Sequence, residues 1–329
     1  NPKAYAYYLE AKHRYDKREN KDDIEIARGL LNKAVELDDN LIKAKILLGA
    51  TYFSVGEYDM AMDIYTSALK QAELNGDKRG IGSTLNQIGN IYYRKGEYDQ
   101  ASDHYNRSLK IMEELGDKSG IGSGLNSIGI IYAIKGDYEK TLDYMNRSLT
   151  ISEELGDKSR IGTSFNNIGM LYRRKGEYDQ ALDYYSRSLE IREELGDKSG
   201  IAECINNMGA IHLGKGEYNK AVEYLEKSLH IQQEIGEKGF ELFTTTHFYL
   251  ANKQLGKDYD EQEIHRLIKE DENIEFEINF RLYELLEDKS YLENAYTQLM
   301  KQVDEMENSY KQEFLDYPIP RQIVEAWQK

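Results

Sequence analysis

The sequence predicts an all-α solenoid of stacked antiparallel helix pairs. Three observations carry that expectation: glycines that return every 40 residues, helical spacing of the apolar residues between them, and only 3 prolines in 329 residues. Gly49, Gly89, Gly129, Gly169 and Gly209 form one series. A second runs through Gly56, Gly96, Gly136, Gly176, Gly216 and Gly256, and a third through Gly76, Gly116, Gly156, Gly196 and Gly236. Tyrosines at 58, 98, 138, 178 and 218 and leucines at 69, 109, 149, 189 and 229 keep the same interval. Self-similarity at such a period marks an array whose units lean on one another.

Each 40-residue unit reads as two helices. In 116–155 the first begins near Asp117, an N-cap residue following a glycine turn. Leu125, Ile128, Gly129 and Tyr132 fall on one face of it, at i, i+3, i+4 and i+7. Gly136 breaks the helix, with Lys135 in the last turn opposing the C-terminal dipole. Tyr138 opens the second helix, whose buried stripe is Tyr138, Leu142, Met145, Ser148, Leu149 and Ser152, and Gly156 ends it. The small residues Gly129 and Ser148 are expected where neighbouring helices approach closely. So short a hairpin cannot bury its apolar face alone, and stacking on neighbours completes the core.

Four complete units span 76–235. The front, 1–75, uses a shorter period, because Ala27 and Ala34 recur 34 residues later as Ala61 and Ala68. From 236 to 329 the pattern decays. Residues 237–271 read as a degenerate unit with Tyr249 in place of glycine. Residues 273–312 read as another helical pair containing Tyr291, Leu292, Ala295 and Tyr296. Pro318 and Pro320 are expected to end regular structure, and Ile323, Val324, Ala326 and Trp327 to fold back as a short cap.

Composition narrows the function class. Net charge is −16, and acids outnumber bases about twofold in 257–329, an acidity expected to belong to a solvated helical cap. Affinity for a phosphate backbone rests on cationic neutralisation, so no nucleic acid is expected as a partner. No apolar run approaches the roughly 20 residues of a membrane span, so no membrane is expected either. A single cysteine, Cys204, excludes an intrachain disulfide and fits a cytoplasmic protein. The chain opens with Asn1 and is helical in pattern by Tyr5, as expected of a piece of a longer polypeptide.

No motif in the sequence carries catalytic or ligand chemistry. The six histidines show no metal-ligand spacing, so no metal and no cofactor are expected. Cys204 lies near an apolar stripe and reads as an inert buried thiol. Gly80 with Gly82, and Gly120 with Gly122, give a G-x-G, but no strand precedes it and no Gly-Lys-Ser/Thr follows. Paired acids such as Glu113-Glu114 and Glu193-Glu194 point to solvent. Asn106-Arg107-Ser108 and its repeat at 146 match a glycosylation sequon but lie within helices. No catalytic residues are assigned, and the chain is not expected to be an enzyme.

Leu85, Gly89, Tyr92, Gly96, Tyr98, Ala101, Tyr105, Ser108 and Leu109 fit the framework L-x3-G-x2-Y-x3-G-x-Y-x2-A-x3-Y-x2-A-L. In this the chain resembles the tetratricopeptide-repeat (TPR) family, departing only in serine for alanine at 108, 148, 188 and 228. The 40-residue unit is similar to those of kinesin light chains, Partner-of-Inscuteable adaptors and bacterial Rap-type peptide receptors. The opening residues Ala4, Tyr5, Tyr8, Leu9 and Ala11, with the helix end Ala34 to Asn40, resemble the TPR region of bacterial class III nucleotide cyclase-type signalling proteins. The resemblance implies a right-handed superhelix whose first helices line a concave groove.

On that implication one row of residues faces inward. Asn86, Asn126, Asn166 and Asn206 occupy the same place in four first helices, with Asn90 and Tyr93 on the same flank as Asn86. At about 100° per residue, Asn86 lies one step round from the buried Leu85. An amide offers both a donor and an acceptor, so such a row suits the main chain of an extended peptide. The alternative is that these amides bond the adjacent repeat and fix the superhelix. Groove character changes from Asn90 and Tyr93 to Ile130 and Ala133, then Met170 and Arg173. Arg94 and Arg174 stand at its edge, placed to pair with acidic ligand side chains.

The expected function is a protein–protein interaction module that binds a peptide or partner segment and regulates a larger signalling protein. Two further readings stand beside it. One is a peptide-sensing receptor of the Rap type, against which counts the lack of room for an N-terminal helical bundle. The other is a scaffold that self-associates into a homo-oligomer through its repeats.

Overall fold

The computed structural model describes residues 1–17, 21–235, 241–271 and 274–329. Among them it holds eighteen α-helices and no strand. The chain divides into two compact units, Asn1–Ile131 and Tyr132–Lys329.

The first unit contains α1 (Pro2–Asp16), α2 (Lys21–Leu37), α3 (Ile42–Phe53), α4 (Tyr58–Asn75), α5 (Lys78–Arg94) and α6 (Tyr98–Leu115). The division falls inside α7 (Lys118–Ile134). The second unit opens with α8 (Tyr138–Glu154), α9 (Lys158–Lys175), α10 (Tyr178–Leu195), α11 (Lys198–Gly214) and α12 (Tyr218–Ile235). It continues with α13 (Glu241–Gln254), α14 (Glu261–Glu270), α15 (Phe276–Leu286), α16 (Lys289–Glu305), α17 (Asn308–Leu315) and α18 (Pro318–Trp327).

The predicted boundaries recur in the structure because each has a local cause. Asp77, Asp157 and Asp197 cap α5, α9 and α11, each accepting a bond from the N–H three residues on. Gly96 and Gly116 take left-handed φ values of 75° and 63°, which a side chain would resist. At Gly116 the chain turns back on itself, and the Asp117 N–H donates to the Met112 carbonyl at 2.9 Å. Gly80 has a role in this capping, since its N–H donates to Asp77 Oδ1 at 2.9 Å. Gly236 lies outside the described residues.

The other glycine series serves packing. A Cβ on Gly89 would stand 2.6 Å from the ring of Tyr105, and one on Gly169 2.9 Å from that of Tyr185. Tyr105 and Tyr185 are buried there, each ring of a second helix packed against the glycine of the first helix of its own pair. The serines that replace alanine add a bond as well as fitting. Ser108 Oγ donates to the Gly82 carbonyl at 2.7 Å, Ser188 Oγ to that of Gly162 at 2.8 Å, and Ser228 Oγ to that of Ala202 at 2.8 Å. Each bond ties the two helices of a pair together.

Beyond α12 the regular grammar lapses. Pro318 and Pro320 begin a helix where the sequence predicts an end to regular structure. The reason is positional: a proline in the first turn loses no intrahelical bond, because that N–H has no partner anyway. Ile323 is fully buried on α18, in one core with Leu292, Leu299 and Phe314 of α16 and α17. Tyr138 and Leu171 of the repeats join that same core. The C-terminal helices are thereby seated on α8 and α9, with Gln302 donating to the Ile134 carbonyl at 3.3 Å.

Candidate functional site

The asparagine row is described within each unit. In the first, Asn86 is half-buried on α5, and its Nδ2 is enclosed with no hydrogen-bond partner among the described residues. Asn90, one turn on, is committed: its Oδ1 accepts from Tyr105 Oη at 2.8 Å and its Nδ2 donates to Gln87 at 3.2 Å. Tyr93 packs against Tyr98, with ring centroids 6.0 Å apart. Arg94 is exposed, its guanidinium 5.9 Å from the Phe53 ring centre. Asn126 is half-buried on α7.

In the second unit the two asparagines part company. Asn166 donates to Glu203 Oε1 at 3.0 Å and accepts from Asn207 Nδ2 at 3.3 Å, so it binds α9 to α11. Asn206 is also buried, but its Oδ1 has no hydrogen-bond partner among the described residues. Cys204 lies beside this cluster, its Sγ 3.2 Å from Ser188 Oγ. Burial pushes its thiol up to about 11, which keeps it protonated and unreactive.

Arg173 and Arg174 sit in a cleft that sequence reasoning does not anticipate. It lies between α8 to α11 on one side and α15, α17 and α18 on the other, with about 650 Å³ of space when the part open to solvent is counted. Arg173 makes a two-pronged ion pair with Glu277 of α15, at 2.6 and 3.1 Å. Burial pushes the Glu277 carboxyl up, but the Arg173 charge and hydrogen bonds outweigh it and hold the group at about 2. Arg281, also in the cleft wall, pairs with Glu284 at 2.5 Å. Arg174, exposed in the cleft, makes no hydrogen bond or ion pair among the described residues, although the nearby Tyr138, Glu275 and Glu277 favour its charged form. Tyr138 and Tyr317 meet across it with centroids 5.2 Å apart.

Tyr138 and Tyr178 are visible in the sequence as openers of second helices, whereas Glu277, Phe276 and Tyr317 carry no signal there. Beside the cleft, His247 is buried on α13, and burial lowers it to about 4, so it stays neutral near pH 7. Among the described residues no group of three or more His, Cys, Asp or Glu side chains could hold a metal ion. No helix among them is long and apolar enough to cross a membrane.

A family profile described as tetratricopeptide repeat matches residues 40–114, 120–194 and 160–234, more than half of the chain. The chain belongs to the tetratricopeptide-repeat family. As a TPR protein it is a protein–protein interaction module, built in each unit from stacked helix pairs. Its fold is similar to that of a Rap protein solved in complex with competence and sporulation factor. That match has a TM-score of 0.67 at 18% identity and covers 99% of this chain and 85% of that one. It is also similar to a signal transduction ATPase (STAND) protein with a TPR sensor from Pyrococcus horikoshii. There the TM-score is 0.60 at 17% identity, over 88% of this chain and 47% of that one. BtubC from P. vanneervenii gives 0.52 at 21% identity, over 66% and 91%. At such identities the likeness is one of fold. A search of curated proteins finds no match.

Proposed function

We propose that this TPR protein holds an extended segment of a partner, or a peptide, against the first helices of its repeats. The observation that carries this reading is a pair of buried amide atoms without partners, Asn86 Nδ2 in the first unit and Asn206 Oδ1 in the second. Both belong to the same position of the repeat. Leaving such a group unsatisfied costs on the order of 1–3 kcal/mol. Within each unit an extended main chain supplies the missing group, a carbonyl for the Asn86 amide in the first and an N–H for the Asn206 oxygen in the second. Tyr93 and the exposed Arg94 then offer side-chain selectivity beside Asn86, Arg94 by pairing with acids.

A regulatory setting is part of this reading, and one likeness of fold supports it: a neighbour is a signal transduction ATPase with a TPR sensor. A peptide-sensing receptor is the second reading. What favours it is that the fold likeness to the Rap complex covers 99% of this chain.

The test is a screen of immobilised peptides against the purified chain, followed by Asn86→Ala and Asn206→Ala. Because neither amide atom has a partner to lose, melting should stay unchanged or rise. Affinity for the selected peptides should fall about tenfold, as expected for a lost hydrogen bond in a desolvated site. A lowered melting temperature with intact peptide binding would make the amides structural and sink the reading.

A further inference from the structure

The cleft of the second unit differs from the asparagine rows in chemistry. Its walls carry five aromatic rings, from Tyr138 and Tyr178 on the repeat side and Phe276, Phe314 and Tyr317 on the C-terminal side. Three arginines and two glutamates share it, and most of that charge is already spent. Arg173 is held by Glu277 and Arg281 by Glu284. That leaves Arg174, and near it the exposed side chain of Glu275, each without a hydrogen bond or ion pair among the described residues. A guanidinium stays charged at any pH a folded protein meets and presents a flat fork of donors that matches a carboxylate.

We propose that this cleft binds a small organic anion, an apolar body bearing one carboxylate, with Arg174 as its anion contact and the aromatic rings around its body. Charge selects a monoanion, because the Glu275 carboxylate in the same wall repels a second negative charge. Shape selects a small molecule over an extended chain. The Arg173–Glu277 ion pair, the Tyr138–Tyr317 contact and Pro318 packed on Gly176 pin the two walls together at three points. What remains is a pocket and no passage. The site is independent of the amide rows, and neither stands or falls with the other.

Octanoate, phenylacetate and indoleacetate titrated against the full chain, each beside its neutral amide, test the assignment by calorimetry. At least one acid should bind saturably, with its amide about tenfold weaker or worse. Arg174→Gln should cost the acid the same factor while circular dichroism and melting hold. Glu275→Gln, which removes the competing carboxylate, should tighten binding several-fold. Equal affinity for acid and amide overturns the proposal, as does indifference to Arg174→Gln, no saturable binding of any acid, or binding only by peptides. If Arg174→Gln does not fold, the acid–amide comparison on the wild-type chain decides.

Discussion

Within the second unit, α9 to α12 and α13 to α18 are held together by different means. In the regular repeats the stabilising features are local and repeated: an aspartate cap, a left-handed glycine, a ring lying on a glycine, a serine bonded to a carbonyl. Exposed pairs such as Lys198–Glu234 decorate them at the repeat interval. In the C-terminal helices the features are singular and distant. Glu277 reaches Arg173 across 104 residues, and Gln302 reaches Ile134 across 168. Helices there start from extended residues, of which Asp260 and Asp288 cap with their side chains while Glu275, Glu307 and Tyr317 do not. At Glu287 a non-glycine residue takes a φ of 61°. Repetition spreads stability over many small contacts, and a decayed end concentrates it in a few.

That contrast can be broken at its most concentrated point. Glu277→Gln leaves Arg173 charged and buried without its counter-ion, and a loss of about 3–5 kcal/mol is expected by urea unfolding. Replacing both members by apolar residues of like volume should restore most of it. Acid should act in the same direction as the single substitution. The folded carboxyl is depressed to about 2, so its contribution is complete above the unfolded value and drains away as pH falls from about 4.5 towards 2. A unit whose stability ignores both changes would show that the ion pair is ornamental.

A middle-sized effect belongs to the repeats. In Gly169→Ala the new methyl meets the Tyr185 ring at 2.9 Å, so the usual helix benefit of alanine should reverse into a loss of about 1–3 kcal/mol. A gain in melting temperature would mean the ring yields freely. The smallest expected change has the opposite sign. Glu287→Gly relieves a left-handed backbone and should stabilise by about 1 kcal/mol or less, since lost contacts to Lys253 offset part of the gain. An unchanged or lower midpoint there would show that the Lys253 contact outweighs the strain.

The same contrast explains what the sequence discloses. Helix ends within the repeats are legible because Asp117, Gly136 and Gly156 act on their own neighbours. The row containing Asn86 is legible as a pattern, since equal spacing puts equal positions on equal faces. Which amides are already engaged is another matter. Asn166 is tied by Glu203 and Asn207, whereas Asn206 at the same repeat position keeps a bare oxygen. Nothing in the spacing separates the two, because the partners come from variable positions of the next repeat. Arg173 is likewise visible as a cation, but its counter-ion lies on a helix whose pattern has decayed. The fold of 318–327 is misjudged for a simpler reason: proline both stops a helix and starts one, and only the preceding residues decide which.

The serine hydroxyls have a consequence for how such arrays lengthen and diverge. Each takes up a carbonyl already engaged in its own helical ladder, using that oxygen's second lone pair. Strength gained this way is modest, but alignment is not: sliding the helices past each other by one residue breaks the contact. The hydroxyl therefore works as a locating pin, copied with every duplicated module. A newly inserted module arrives with its hairpin already indexed, free to vary on its outer surface.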